Sequence, residues 1–266
     1  MNKLLAYETK GTGPSVVLLH GFCENRTMWR HIVPFLASHY QVTSIDLGGF
    51  GESAHLLPQP TTVAALAQQV AQLLAHLHIS KPIIVGHSLG GYVALALTQM
   101  NSTLCQGIGL VHSSAAADSK ARKNMRNRVI EIVQARGVKV FAQQFVPSLF
   151  LPDRHQVLKP AIEEAQKMAL QTPLTSVLEV TKAMRDRPDH TSLLATLEYP
   201  VLFLIGKQDQ AITFPQYQSQ ITLPKDTVIH ILDQTAHMGI WERPLKTQHI
   251  LYNFVEYCIQ TSQKII

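Results

Sequence analysis

The sequence predicts an α/β protein built on a doubly wound, mostly parallel β-sheet. Short apolar runs rich in β-branched residues alternate with stretches in which apolar residues recur every three or four positions. Glycine-rich loops follow several of the apolar runs, whereas strand-like runs are few between residues 117 and 196. We therefore expect one sheet with a helical insertion.

Seven apolar runs predict the strands, at residues 4–9, 16–19, 41–45, 82–85, 108–111, 200–205 and 227–231. The run at 16–19 is apolar throughout, which is typical of a parallel strand covered on both faces. Helices are expected at 28–38, from 61 onward, and at 128–136, 160–170 and 244–260. Pro244 suits the first turn of the last helix.

This pattern predicts two structural units. Residues 1–117 and 197–266 are expected to form the sheet and its helices, and residues 118–196 a helical cap over the carboxyl ends of the strands. Open α/β sheets bind ligands in crevices beyond those ends. With 266 residues, of which 46% are hydrophobic, the chain can bury a core of this size.

The composition argues against several classes of protein. Charged residues make up 15% of the chain, too few for a disordered protein, and the net charge of +5 includes no long basic block for nucleic acid. The N-terminal stretch lacks the apolar run of a signal peptide, and no segment suits a membrane span. Cys23, Cys105 and Cys258 are scattered without metal-binding spacing, so we expect a cytoplasmic protein without metal or cofactor.

The most informative stretch surrounds Ser88. Gly86-His87-Ser88-Leu89-Gly90 fits the G-x-S-x-G pattern, with an apolar strand before it and a helix-forming run directly after it. In such a sharp turn the strand and helix backbones nearly touch, so a Cβ at Gly86 or Gly90 would clash. The turn is expected to strain Ser88 and to expose its Oγ as a nucleophile.

A serine nucleophile needs a base and an orienting acid. His237, in the loop after the last predicted strand, is the candidate base because imidazole titrates near neutral pH. Asp209, which follows the strand at 200–205, is the preferred acid, and Asp233 is its rival because it lies close to His237 in sequence. Backbone N–H groups of Phe22 and Leu89 are the expected oxyanion-hole donors.

These features resemble enzymes of the α/β-hydrolase fold with a helical cap, in the branch of esterases and enol-lactonases. The resemblance rests on His20-Gly21-Phe22, residues 46–53, residues 86–91, Arg187-Pro188-Asp189, residues 206–209 and Ala236-His237. It implies that Ser88 is the nucleophile, Asp209 the acid and His237 the base. Serine at the turn argues against the dehalogenases and epoxide hydrolases of this fold, which carry aspartate there.

Four further residues are candidate substrate contacts: His87, His112, Phe145 and Trp241. His87 is expected to pack beside Ser88, and His112 either lines the pocket or belongs to the core. Phe145 and Trp241 are candidates for an apolar acyl pocket, although most such aromatics are core residues.

The basic segment 120–128 has two interpretations. On a helix, Arg122, Lys123 and Arg126 would share one face. That face either recognises an anionic substrate group or is simply solvated, and the pattern alone favours the solvated face.

The sequence thus predicts a serine hydrolase that cleaves an ester-type bond of a small molecule through an acyl-Ser88 intermediate. Lactone, thioester and C–C bond hydrolysis use the same nucleophile and oxyanion hole, so they are alternatives. A non-catalytic small-molecule receptor on the same scaffold is another. Both a monomer and a homodimer fit the sequence.

Overall fold

Seven strands form a single sheet in the computed structural model. The structure describes residues 4–263, and residues 1–3 and 264–266 of the predicted core lie outside this range. The strands are β1 (Tyr7–Lys10), β2 (Ser15–Leu19), β3 (Gln41–Ile45), β4 (Ile83–His87), β5 (Gly107–Val111), β6 (Val201–Gly206) and β7 (Thr227–Leu232). Their order across the sheet is β1-β3-β2-β4-β5-β6-β7. Only β1 runs antiparallel to its neighbour. The predicted fold class is confirmed.

The helices are α1 (Val33–Leu36), α2 (Val63–His76), α3 (Leu89–Met100), α4 (Lys120–Ser148), α5 (His155–Leu170), α6 (Leu174–Arg185), α7 (Thr191–Leu194), α8 (Phe214–Gln218), α9 (Gly239–Glu242) and α10 (Pro244–Gln263). Helix α3 contacts β2, β4 and β5, and α10 also contacts β5. Strands β4 and β5 are buried at every residue, as continuous apolar runs predict for central parallel strands.

The prediction of a single helix at 28–38 is wrong in its extent. The structure instead has a 3₁₀ turn at Arg26–Trp29 and then the short helix α1. Pro34 explains the interruption, because proline has no N–H for an intrahelical hydrogen bond and fits only the first turn of a helix.

Helices α4 to α7, here called the inserted helices, lie between β5 and β6 in the chain. Helix α4 packs against both α5 and α6 and bends at Gly137, where φ is 75° and ψ is 172°. The end of α4 reaches the carboxyl edge of the sheet, since Leu149 O accepts a hydrogen bond from His237 N at 2.9 Å. The boundaries of this unit at residues 118 and 196 stay a prediction.

The three cysteines are free thiols and are buried in the core. Burial raises the pKa of Cys23, so this thiol stays neutral and behaves as a small apolar side chain. Of the helices formed by residues 4–263, not one combines the length and apolar character required to span a membrane.

Candidate functional site

The strand ends bring the predicted residues together at one edge of the sheet. Parallel strands place their carboxyl ends on the same side, so loops far apart in sequence meet there. Ser88 follows β4, Asp209 lies three residues beyond β6, and His237 lies in the loop after β7.

Ser88 occupies the strained turn that the sequence predicts. Its φ is 49° and its ψ is −111°, a conformation that non-glycine residues rarely adopt. A Cβ on Gly86 would lie 2.3 Å from backbone atoms of Gly90, and a Cβ on Gly90 would lie 2.2 Å from Leu19 O. The two glycines are therefore required for β4 and α3 to meet at this angle. Ser113 Oγ braces the turn by donating to Ser88 O at 2.7 Å.

A chain of hydrogen bonds joins the three side chains. His237 Nε2 lies 2.9 Å from Ser88 Oγ, and His237 Nδ1 lies 2.7 Å from Asp209 Oδ2. The carboxylate can only accept, so Nδ1–H donates to it and Nε2 is free to accept from the serine hydroxyl. The imidazole is thereby held in the tautomer that can take the serine proton.

Asp209 is held as an anion in a buried position. Its Oδ1 accepts hydrogen bonds from Ala211 N at 2.7 Å and Ile212 N at 3.0 Å. Burial alone would raise the pKa of Asp209, but the neighbouring His237 and His112 hold it well below its usual range.

The rival acid Asp233 lies elsewhere. Its side chain is 66% exposed and pairs with Lys207 at 3.2 Å. Closeness in sequence therefore misleads at this loop, and the geometry favours Asp209.

The backbone N–H groups of Phe22 and Leu89 have no hydrogen-bond acceptor among residues 4–263. Leu89 is the first residue of α3, where helical N–H groups lack intrahelical partners. His20 supports the Phe22 loop: its Nε2 accepts from Leu47 N at 2.9 Å, so its Nδ1–H donates to Gly21 O at 2.8 Å. Burial lowers the pKa of His20, which suits this neutral tautomer.

A buried ion pair between Glu24 and His87 links the loop after β2 to the loop that contains His237. Glu24 Oε2 accepts from Gly21 N at 2.6 Å and lies 3.0 Å from His87 Nδ1, while His87 Nε2 donates to His237 O at 3.0 Å. Both ring nitrogens face acceptors, so His87 is an imidazolium. Burial would lower the pKa of His87, yet the charge of Glu24 and these hydrogen bonds raise it. Nothing in the sequence distinguished Glu24, because its partner is 63 residues away.

The expectation that His87 contacts substrate does not fit this position, because the side chain is 1% exposed and both nitrogens are engaged. His112 does not fit either. It is fully buried behind Asp209, with Nδ1 3.6 Å from Asp209 Oδ2, too far for a normal hydrogen bond. Neither ring nitrogen has a hydrogen-bond partner in the described part of the chain, and burial lowers the pKa of His112 to about 4.

The two aromatic candidates lie in different environments. The Phe145 ring packs edge-on against Phe22, with centroids 6.0 Å apart, and borders a cavity of about 290 Å³ beside the inserted helices. Trp241 is 5% exposed. Its Nε1 donates to Met28 O at 2.8 Å, and the Arg30 guanidinium lies over its ring. Phe145 is therefore placed to contact a ligand, whereas Trp241 belongs to the core.

His112, Asp209 and His237 are also a group of three potential metal ligands, with donor atoms within 4.8 Å of one another. A metal bound there would have to replace the hydrogen bond of 2.7 Å between His237 and Asp209. The hydrogen-bond chain to Ser88 already explains why Asp209 and His237 are close.

The basic segment of α4 divides into exposed and half-buried residues. Lys123 and Arg128 are exposed. Arg122 and Arg126 have side chains only 20% and 15% exposed, and both face Asp118. Asp118, which sequence reasoning missed, directly precedes the N-cap residue of α4.

Known proteins are similar to this chain in sequence and architecture. Residues 14–244 match the family described as alpha/beta hydrolase fold. The pimeloyl-[acyl-carrier protein] methyl ester esterase of Pseudoalteromonas atlantica is 29% identical over 252 residues, which cover 89% of this chain and 92% of that protein.

Two solved structures superpose on nearly the whole chain. A thermophilic esterase from Thermogutta terrifontis has a TM-score of 0.89 at 30% identity, covering 96% of this chain and 93% of its own. The enol-lactonase from Burkholderia xenovorans LB400 has a TM-score of 0.87 at 21% identity, with 95% and 96% covered. At that identity the lactonase shows likeness of fold alone.

Proposed function

Because the chain belongs to the α/β-hydrolase fold family, we propose that it is a serine hydrolase that cleaves an ester bond of a small-molecule substrate. The single observation that carries the proposal is the hydrogen-bond chain from Ser88 Oγ through His237 to the buried carboxylate of Asp209. It occurs at a strained strand-to-helix turn, where a serine is held by a backbone conformation that costs folding energy.

In the first step, His237 Nε2 takes the proton of Ser88 as Oγ attacks the ester carbonyl. The carbonyl oxygen becomes an oxyanion, and the free N–H groups of Phe22 and Leu89 are the proposed donors to it. Asp209 stabilises the imidazolium that forms, because its low pKa keeps it ionised throughout.

In the second step, the tetrahedral intermediate collapses. The bond to the alcohol breaks, the alcohol leaves with the proton from His237, and an acyl ester remains on Ser88. A water molecule then gives its proton to His237 and attacks the acyl carbon. Serine leaves with that proton, so the acid is released and the free enzyme is restored.

The relatives support ester hydrolysis in general but not one substrate. Both the Pseudoalteromonas protein and the Thermogutta protein are named as esterases. Lactone, thioester and C–C bond cleavage stay alternatives, since each needs only this nucleophile and oxyanion hole. A non-catalytic receptor is less well supported, because it has no need of the hydrogen bond between Ser88 and His237. A cytoplasmic location stays a prediction.

Labelling with a fluorophosphonate tests the proposal directly. We expect one adduct, located on the peptide that contains Ser88, and no adduct on the Ser88→Ala variant. The wild type should hydrolyse p-nitrophenyl butyrate and the variant should not. Ser38→Ala, an exposed serine just after α1, is a matched control that should label and turn over normally. Labelling of another residue, or turnover by Ser88→Ala, would contradict the mechanism.

A further inference from the structure

The inserted helices and the core enclose a cavity of about 290 Å³ that contains two arginines. Arg122 and Arg126 stand one turn apart on α4 and line one side of it, and Phe145, Leu149, Gln210 and Ala211 line other parts. The cavity therefore combines apolar walls with two guanidinium groups, a combination suited to a ligand with a carbon chain and an anionic end.

The same lining residues contact the candidate site. Leu149 O accepts from His237 N at 2.9 Å, and Ala211 N donates to Asp209 Oδ1 at 2.7 Å. Phe145 packs on Phe22, whose N–H is a proposed oxyanion donor. A ligand in this cavity would thus contact residues that themselves touch His237, Asp209 and Phe22.

Among residues 4–263, the only carboxylate paired with Arg122 and Arg126 is that of Asp118. Asp118 accepts from Arg187 Nη1 at 2.6 Å and from Arg126 Nε at 3.1 Å, while Arg122 Nε lies 4.0 Å away. Three guanidiniums thus lie near one carboxylate, whose Oδ1 is bound by Arg187 and whose Oδ2 is bound by Arg126 Nε.

The terminal nitrogens of Arg122 and Arg126 have no acceptor among residues 4–263. Burial lowers the pKa of Arg126, and the charge of Arg122 acts in the same direction, although Tyr92 and Asp118 oppose them. A half-buried cation short of partners gains more from an anionic ligand than an exposed one, because water screens the exposed cation.

We propose that Arg122 and Arg126 form a subsite for a carboxylate carried by the substrate, so that the enzyme prefers half-esters of dicarboxylic acids to neutral esters of the same size. This inference rests on the proposed function and adds a class of substrate to it. It assigns to the basic segment the recognition role that the sequence pattern alone did not favour.

The test compares two substrates that differ only in charge. Monomethyl glutarate carries a carboxylate, and methyl 5-amino-5-oxopentanoate carries an uncharged amide of the same shape. Methanol release gives kcat/KM for each, and the succinate and adipate homologues cover shorter and longer chains. We expect the wild type to favour the carboxylate at one chain length at least.

Arg122→Gln is the informative variant, because its side chain has only the 4.0 Å contact with Asp118 to lose. It should lower kcat/KM for the half-ester about tenfold or more, as expected for loss of a charge-assisted contact. For the amide, kcat/KM should change by less than about twofold. Arg128→Gln, an exposed arginine on the same helix, should leave both unchanged.

Equal loss on both substrates in Arg122→Gln, or no carboxylate preference of the wild type at any chain length, would overturn the subsite while leaving the proposed function intact. Calorimetric titration of the Ser88→Ala protein with glutarate separates the two ideas further. Binding that Arg122→Gln weakens about tenfold would support the subsite even if no ester were hydrolysed. The wild-type substrate preference needs no variant, so the test holds even if Arg122→Gln is unstable.

Discussion

Asp209 differs from the other carboxylate near His237 in burial and bonding rather than in residue type. It is 3% exposed and accepts hydrogen bonds from two backbone N–H groups as well as from His237, whereas the Asp233 side chain is 66% exposed. A carboxylate fixed in this way can hold a tautomer and stabilise an imidazolium without moving. At the residue scale, the environment distinguishes the two carboxylates.

Asp209→Asn should therefore lower kcat on p-nitrophenyl butyrate by about 10⁴, because asparagine carries no charge and can present an N–H to His237 Nδ1. Asp233→Asn should keep kcat near that of the wild type, since its partner is the exposed Lys207. A larger loss in Asp233→Asn than in Asp209→Asn would reverse the assignment of the acid.

His112 predicts a specific pH dependence of stability. Its pKa in the folded chain is lowered to about 4 by burial, so the unfolded chain binds this proton first as the pH falls below about 6.5. Stability from neutral His112 is thus present above pH 6.5 and is lost as the pH falls towards 4, by about 3 kcal/mol in all. Between pH 7 and pH 4, the free energy of unfolding measured with urea should fall less for His112→Gln than for the wild type, by this same amount. Parallel curves for the two proteins would contradict this.

At the scale of elements, the bend in α4 depends on Gly137. With φ at 75° and ψ at 172°, the residue occupies a region that is almost restricted to glycine, although a Cβ there would meet no atom within 4 Å. The bend lets the first half of α4 carry Arg122 and the second half carry Phe145 to the same cavity.

Gly137→Ala should lower the free energy of unfolding by about 1–3 kcal/mol through backbone strain alone, since no steric clash accompanies it. Thermal unfolding measures the effect. Gln143→Ala, an exposed position on the same helix, should stay within about 0.5 kcal/mol of the wild type. An unchanged Gly137→Ala protein would show that α4 can straighten without cost.

At the scale of the whole molecule, one buried ion pair joins the segment before α4 to the segment after α6. Asp118 precedes α4 and Arg187 follows α6, and they pair at 2.6 Å. Arg187 also donates to Ala116 O, and its guanidinium lies 3.9 Å from the ring centre of Tyr92 on α3. This arrangement ties the start of α4 and the end of α6 to each other and to α3.

Breaking this pair should loosen the insertion. Arg187→Met leaves Asp118 buried with weaker partners, so we expect a loss of about 3–5 kcal/mol in unfolding free energy and faster proteolytic cleavage within residues 118–196. Arg185→Met removes an exposed pair with Asp186 and should have little effect on either measurement. Equal resistance of the two variants to proteolysis would exclude this role for Arg187.

The sequence by itself determined the order of the seven strands along the chain, the strained serine turn and the shortlist of His237, Asp209 and Asp233. These features depend on neighbours within a few residues, where periodicity, β-branching and glycine act directly. The tertiary structure alone showed that Asp209 rather than Asp233 contacts His237, paired Glu24 with His87, and separated Arg122 and Arg126 from the exposed lysines and arginines beside them. Those outcomes depend on burial and on partners up to 150 residues away, and the cost of burying a charge is not set until the chain has folded around it.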